Sequence, residues 1–235
     1  MSRALYAAAL ALLVAGCSGA PGEPALFPLN KGWRWTYQMT TETPAGSRQE
    51  RFVVENRGAA IVGDSLQALE RRNSLGNAYY FVNDASGIYR VASRAEIERV
   101  AQPDEDPLKR FVLRTPVAKG TRWQSLTKPF LLRRAVEFPN ELKYGKPILM
   151  EFEIEAVDES VTVPAGKFEH CVVVSGRHTM NLYLDPVTGL GQVPIKQREW
   201  YCPNAGMVRF VRAEPLKERY FTGGTVSFEL AELKR

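Results

Sequence analysis

"ILMEFEIEA", residues 148–156, decides the fold class: Met150, Phe152 and Ile154 fall on one side of an extended chain, and Glu151, Glu153 and Glu155 on the other. A period of two with apolar residues on one face is the signature of a half-buried strand, wet on its second face. Further runs of aromatic and β-branched residues, bounded by turn signals, occupy 33–41, 49–54, 78–83, 87–91, 168–175, 180–184, 197–202, 207–211 and 227–233. Together they predict an all-β, mainly antiparallel protein built as a single curved sheet, a half barrel or a sandwich.

Helix signals are scarce. In "ASRAEIERVA" Ser93 precedes Glu96 by three residues and Ile97 and Val100 follow at helical spacing, which predicts one short helix over 94–101. "FLLRRAVEF" at 130–138 fits a helix or a strand. The stretches "PLNKGWRW" (28–35) and "PVAKGTRW" (116–123) place Pro, Lys, Gly and Trp at the same spacing. Each reads as a tight turn that delivers a Trp into a strand, because Pro fixes φ and Gly admits φ > 0. A repeat of this kind would divide the β-rich domain, 28–235, into similar halves at 28–115 and 116–235.

At the N-terminus, "MSRALYAAALALLVAGCSG" carries one positive charge at Arg3, an apolar run over 4–15, and small residues before Cys17. That is the layout of a secretory signal, and the run is too short to span a bilayer. Val14 to Cys17 resembles a bacterial lipobox. The resemblance implies a signal peptide over 1–16, lipidation of Cys17 and, with Ser18 next, anchoring at the periplasmic face of the outer membrane. Residues 17–27, rich in Gly, Pro and small residues, read as a flexible tether. Removing the signal takes Arg3 from the 31 Lys and Arg against 26 Asp and Glu, leaving +4. The basic residues lie in scattered pairs, which fits a solvated surface, and an exported chain without a recognition motif argues against nucleic acid.

His170, Cys171, His178 and Cys202 are the His and Cys residues beyond Cys17. In a strand, odd separations point to opposite faces, so His170 and Cys171 diverge, and no paired zinc spacing is present. A bend at Gly176 is expected between Ser175 and His178. The favoured reading is a disulfide between Cys171 and Cys202, an even pair in an oxidising compartment, with two buried free thiols as the alternative. "GDSL" at 63–66 matches the name of an esterase family, but neither His follows an Asp by three residues, and "GDS" reads as a turn. Asp104, Glu105 and Asp106 read as a solvated loop first and a weak divalent-ion site second. No catalytic or metal constellation and no cofactor motif emerges. Consecutive aromatics such as Tyr79–Tyr80 and Trp200–Tyr201 point to both faces, as in a sheet covered on both sides or curved around an apolar cavity.

"GWRWTY", "VTVPAGKFEHCVVV" (161–174) and "REWYCPNAGMVRF" (198–210), followed by "VSFELAELK", resemble a broad group of uncharacterised bacterial exported proteins and lipoproteins. The resemblance implies an antiparallel β fold similar to that of lipoprotein carriers and no established activity. Cys202 is not a fixed position of that group. The expectation is therefore a non-enzymatic envelope accessory or scaffolding protein, or else a module that binds a lipid or another apolar ligand.

Overall fold

The strand read at 148–156 extends to Val163, with Met150 and Ile154 fully buried and Glu151 and Glu155 exposed, and register shifts after Ile154 switch burial to Val161 and Val163. The computed structural model describes residues 25–104, 108–134, 147–185, 187–218 and 221–235. Cys17 and the signal segment lie outside the described residues, as do 135–138 of the ambiguous "FLLRRAVEF".

The described residues form one 14-stranded antiparallel sheet that does not close. Its first run comprises β1 (Arg34–Thr43), β2 (Gly46–Val62), β3 (Leu66–Asn73), β4 (Ala78–Asp84), β5 (Gly87–Arg94), β6 (Gln102–Pro103) and β7 (Arg110–Arg114). The second comprises β8 (Arg122–Thr127), β9 (Arg133–Arg134), β10 (Ile148–Val163), β11 (Gly166–Asp185), β12 (Gly189–Cys202), β13 (Gly206–Glu218) and β14 (Phe221–Lys234). The order is β6-β5-β4-β3-β2-β1-β14-β13-β12-β11-β10-β8, with β7 paired to β5 and β9 to β14. Two up-and-down meanders are thus joined through β1 and β14. At the far ends β7 and β8, consecutive in sequence, come close without sharing a ladder.

Three expectations are corrected. Residues 94–101 are not helical: β5 extends to Arg94, and a turn follows in which the Glu98 carboxylate accepts from the Ala95 N–H at 2.7 Å. Ile97 and Val100 are 92% and 65% exposed, so the apolar stripe has nothing to pack against, and without tertiary burial one short turn cannot support a helix. The bend at Gly176 does not form either, since β11 runs through it. A Cβ there would lie 2.7 Å from the Phe152 ring, so the glycine makes room for a cross-strand aromatic rather than breaking the strand. Packing against the fold also starts before Pro28, because Phe27, assigned to the tether, is buried.

The two Pro-Lys-Gly-Trp stretches adopt the same local structure. Gly32 (φ 87°) donates to Asn56 O at 2.9 Å, and Asn56 N–H returns to Trp33 O at 2.9 Å. Gly120 (φ 88°) donates to Ile154 O at 2.8 Å, and Ile154 N–H returns to Thr121 O at 2.9 Å. In both, a left-handed glycine, which a side chain would strain, turns the chain onto a neighbouring strand two residues before a strand opens. Trp35 and Trp123 then enter β1 and β8, each nearly fully buried.

Candidate functional site

Cross-strand register places Trp123, Phe152, Gly176, Gln197 and Arg212 along one line of the inner face, and Ile154, Val174, Glu199 and Phe210 along the next. The buried cluster on this face draws Phe81 and Leu113 from the first meander and Trp123, Ile154, Val172, Val174 and Tyr201 from the second, with Phe27 between them. Phe27 meets Phe81 and Tyr201 edge-on at 5.2 and 6.3 Å. Burial of these aromatic side chains stabilises the junction of the two ends by roughly 1.5–3 kcal/mol each.

Beside this cluster lies a cavity of 260 Å³. Tyr79 and Phe111 line it from the first meander and Trp123 and Phe152 from the second, with Glu199 and Tyr201 completing its wall. Trp123 and Phe152 stack at 5.7 Å with an interplanar angle of 13°. Both rings also line a groove on the protein surface bounded by Arg122, Glu153 and Arg177. They are therefore shared between the cavity and the solvent-facing groove.

The two matched tryptophans differ at one atom. Trp35 Nε1 donates to the carbonyl of Ala205 at 2.6 Å, whereas Trp123 Nε1 is buried with no hydrogen-bond partner among the described residues. A buried donor left unmade costs about 1–3 kcal/mol of desolvation, so a native protein normally pairs it. The Trp123 ring lines the cavity, while its Nε1 atom is itself sealed from water.

Two charged arrangements flank the space. Arg90 grips Asp104 through two bonds of 2.8 Å, and Arg110 approaches the same carboxylate at 3.6 Å. Asp104, expected in a solvated loop, has only 9% of its side chain exposed. In the opposite wall Glu199 accepts from Tyr201 Oη and Gln197 Nε2. Burial pushes the Glu199 carboxyl above its ordinary value, against those hydrogen bonds and the nearby Arg212. It pushes the Tyr201 phenol well up too, with Glu199 adding to the shift.

No protein-family model matches the chain. No curated protein matches it in sequence. Among solved structures it is similar to a proposed lipoprotein of Parabacteroides distasonis, with 17% identity over 90% of this chain and 99% of that one and a TM-score of 0.38. It is similar also to a proposed exported protein with a YmcC-like fold from Bacteroides fragilis, with 19% identity over 89% of this chain and 98% of the other and a TM-score of 0.38.

Next to the cavity the inner face carries a buried ion pair, Arg212 with Glu214, at 2.7 Å. Glu214 also accepts the N–H groups of Phe130, Leu131 and Leu132, and Arg212 reaches Gln197 Oε1 at 2.8 Å and Lys128 O at 3.3 Å. Phe130 stacks on Phe210. The pair thereby holds the chain leaving β8 across the sheet at β13, which satisfies the rule that a buried charge must be fully partnered. Arg71 has a comparable role on the first meander. Its guanidinium lies 3.9 Å from the Phe27 ring and 4.6 Å from Trp35, and it donates to Asn56 Oδ1 and Pro28 O. Burial lowers its pKa to about 10, opposed by Tyr37 and Tyr201. Asn56, itself buried, also donates to Pro28 O and Asn30 O. These bonds pin residues 28–30 over the end of the sheet.

The residues singled out in the sequence sort differently. Cys171 and Cys202 form a disulfide across β11 and β12, one rung from the Val172–Tyr201 pair. Each sulfur is thus bonded to the other and is neither a thiolate ligand nor a nucleophile. His170 has φ 56° and turns outward to Asp158 at 2.6 Å on an exposed edge, with 76% of both side chains in solvent. Ser65 is exposed in the β2–β3 turn. Trp123, Glu199, Arg90 and Asp104 carry no motif. The echoed turn marked Trp123, and the acidic run marked Asp104 without its arginine partner.

Proposed function

We propose that this is a non-enzymatic envelope lipoprotein, held at the periplasmic face of the outer membrane through lipid on Cys17, that binds a small apolar ligand where the two ends of its sheet meet. The observation that carries the reading is the 260 Å³ cavity walled by Tyr79, Phe111, Trp123 and Phe152. Apolar walls with few, placed polar groups are the usual make-up of small-molecule sites. An accessory protein acting through its surface alone needs no such space, and a well-packed seam would be more stable without it.

The anchor fits the fold's entry point. Seven residues, eight Cα–Cα steps, separate Cys17 from Ala25, whose carbonyl accepts from Asn204 N–H at 2.9 Å. Fully extended they span at most roughly 28 Å. Lipid on Cys17 would thus keep the Phe27 end of the domain within that distance of the bilayer.

Binding is tested with N-phenyl-1-naphthylamine, an apolar dye whose emission rises out of water. The protein should enhance its fluorescence saturably. Replacing Val174 in the cavity wall by Trp should abolish the enhancement while leaving the circular dichroism unchanged. Enhancement that survives the filled cavity would place the dye elsewhere and sink this reading.

A further inference from the structure

The β11–β12 hairpin outruns the sheet. β11 last pairs with β10 at Arg177, and β12 first pairs with β13 at Lys196. Among the described residues, the rungs from His178–Ile195 to Tyr183–Leu190 therefore join these two strands to each other alone. The register gives the ribbon two faces. Met180, Leu184, Val193 and Ile195 share one and are buried or half-buried. Thr179, Asn181, Tyr183, Leu190, Gln192 and Pro194 make up the other, and all are exposed. Tyr183 and Leu190 stand directly opposite each other at 54% and 76% exposure, and Val187 in the turn beyond them is 96% exposed. In a chain with 24% charged residues, Asp185 is the one charge from Thr179 to Ile195. Strands that face water are normally guarded by charged side chains. The neighbouring part of the meander is, through the pairs Arg122–Glu153, Arg177–Glu151 and Arg198–Glu155.

We infer that the tip of this ribbon, Tyr183, Val187 and Leu190, docks into the headgroup layer of the bilayer that holds the Cys17 lipid, as a second contact that lays β12 along the membrane. This rests on the anchor reading above and adds an orientation to it. The tether joins the fold at Asn204, just past Cys202, and the ribbon tip lies at the other end of β12, roughly 44 Å away at 3.4 Å per residue. The two contacts are thus well separated along one strand. Area selects the bilayer over a second copy of the chain. The outer face of the ribbon measures roughly 17 by 10 Å, whereas a stable interface between proteins takes about 800 Å² from each partner. A bilayer sets no such minimum. With lipid already holding the chain at the surface, insertion of the tip becomes intramolecular, and a contact too weak to hold the protein by itself takes effect. Tyrosine suits the boundary, its ring apolar and its hydroxyl wet. The charge of Asp185 limits the depth, because a carboxylate is costly in hydrocarbon.

The test uses the lipidated full chain carrying Val187→Cys, labelled with nitrobenzoxadiazole, whose emission rises out of water. Cys171 and Cys202 are bonded to each other, so the introduced thiol alone reacts. On reconstitution into vesicles of phosphatidylethanolamine and phosphatidylglycerol, emission should rise severalfold and be quenched by brominated lipid. Adding Tyr183→Asp and Leu190→Asp to the labelled chain should return it to the aqueous level. Flotation of the vesicles reads the anchor separately. A chain that floats with its label still in water would overturn the ribbon contact and leave the anchor standing. A chain that does not float would overturn both. Emission that rises with protein concentration in the absence of vesicles would give the ribbon to a second copy and overturn the bilayer assignment.

Discussion

Trp35 and Trp123 leave turns of the same backbone pattern and enter strands with nearly equal burial, yet only Trp35 finds a hydrogen-bond acceptor, the Ala205 carbonyl at 2.6 Å. The difference follows from what stands opposite. The β12–β13 turn brings a carbonyl to Trp35, whereas Trp123, on β8 at the outer edge of the second meander, has no turn of that kind beside it among the described residues. Local sequence dictated both turns, and topology decided the partner.

Trp35→Phe and Trp123→Phe should therefore differ in cost. The first loses a buried bond and strands a carbonyl, for about 1–3 kcal/mol beyond its lost packing. The second loses no bond and removes an unpaired donor, so its cost should be smaller by about that amount. Urea unfolding midpoints measure the difference, and equal destabilisation would show that the Trp123 indole is already satisfied in the free protein.

The Cys171–Cys202 bond closes a sequence separation of 31 residues. By the chain-entropy argument, replacing both cysteines by alanine should lower the unfolding free energy by roughly 3–4 kcal/mol. A change below about 1 kcal/mol would mean that the bond constrains little.

Glu199 provides a pH signature. Its folded pKa is raised by burial, so the folded state favours the protonated form; the stability this group contributes is full below its unfolded value of 4.5 and declines as pH rises through the folded one. Tyr201, Gln197 and Arg212 are the groups acting on it. The uncharged variant Glu199→Gln should be nearly as stable as wild type at pH 4 and gain on it steadily toward neutrality. A gap independent of pH, followed by Tm, would contradict the shift.

Cys17→Ala should release the protein to the soluble periplasmic fraction, because the proposed lipid on Cys17 is the anchor and the substitution removes its attachment point. Retention with the membranes after salt and carbonate washes would remove the anchor from the account.

Strands announced by alternation or by aromatic and β-branched runs were legible: β10, β12 and β14 appear where the pattern placed them, extended at their ends. β3 was harder to read because "LQALERRN" is rich in helix formers, and pairing with β2 and β4 overrides that weak preference. The reverse happened at 94–101, where a good helical pattern had no surface to bury its stripe against. Gly176 was misread because its cause, the Phe152 ring on a neighbouring strand, is remote in sequence. The cavity was foreseen only as an option left by two-faced aromatics. Its polar members, Glu199, Arg90 and Asp104, come together from three separated segments and form no motif.

The most direct measurement is native mass spectrometry of the protein as isolated from its own envelope, released from detergent gently enough to keep non-covalent ligands. The account predicts a population carrying one small added mass, lost on denaturation and absent from the cavity-filled Val174→Trp variant. A protein that is uniformly ligand-free, or an added mass that persists when the cavity is filled, would contradict it.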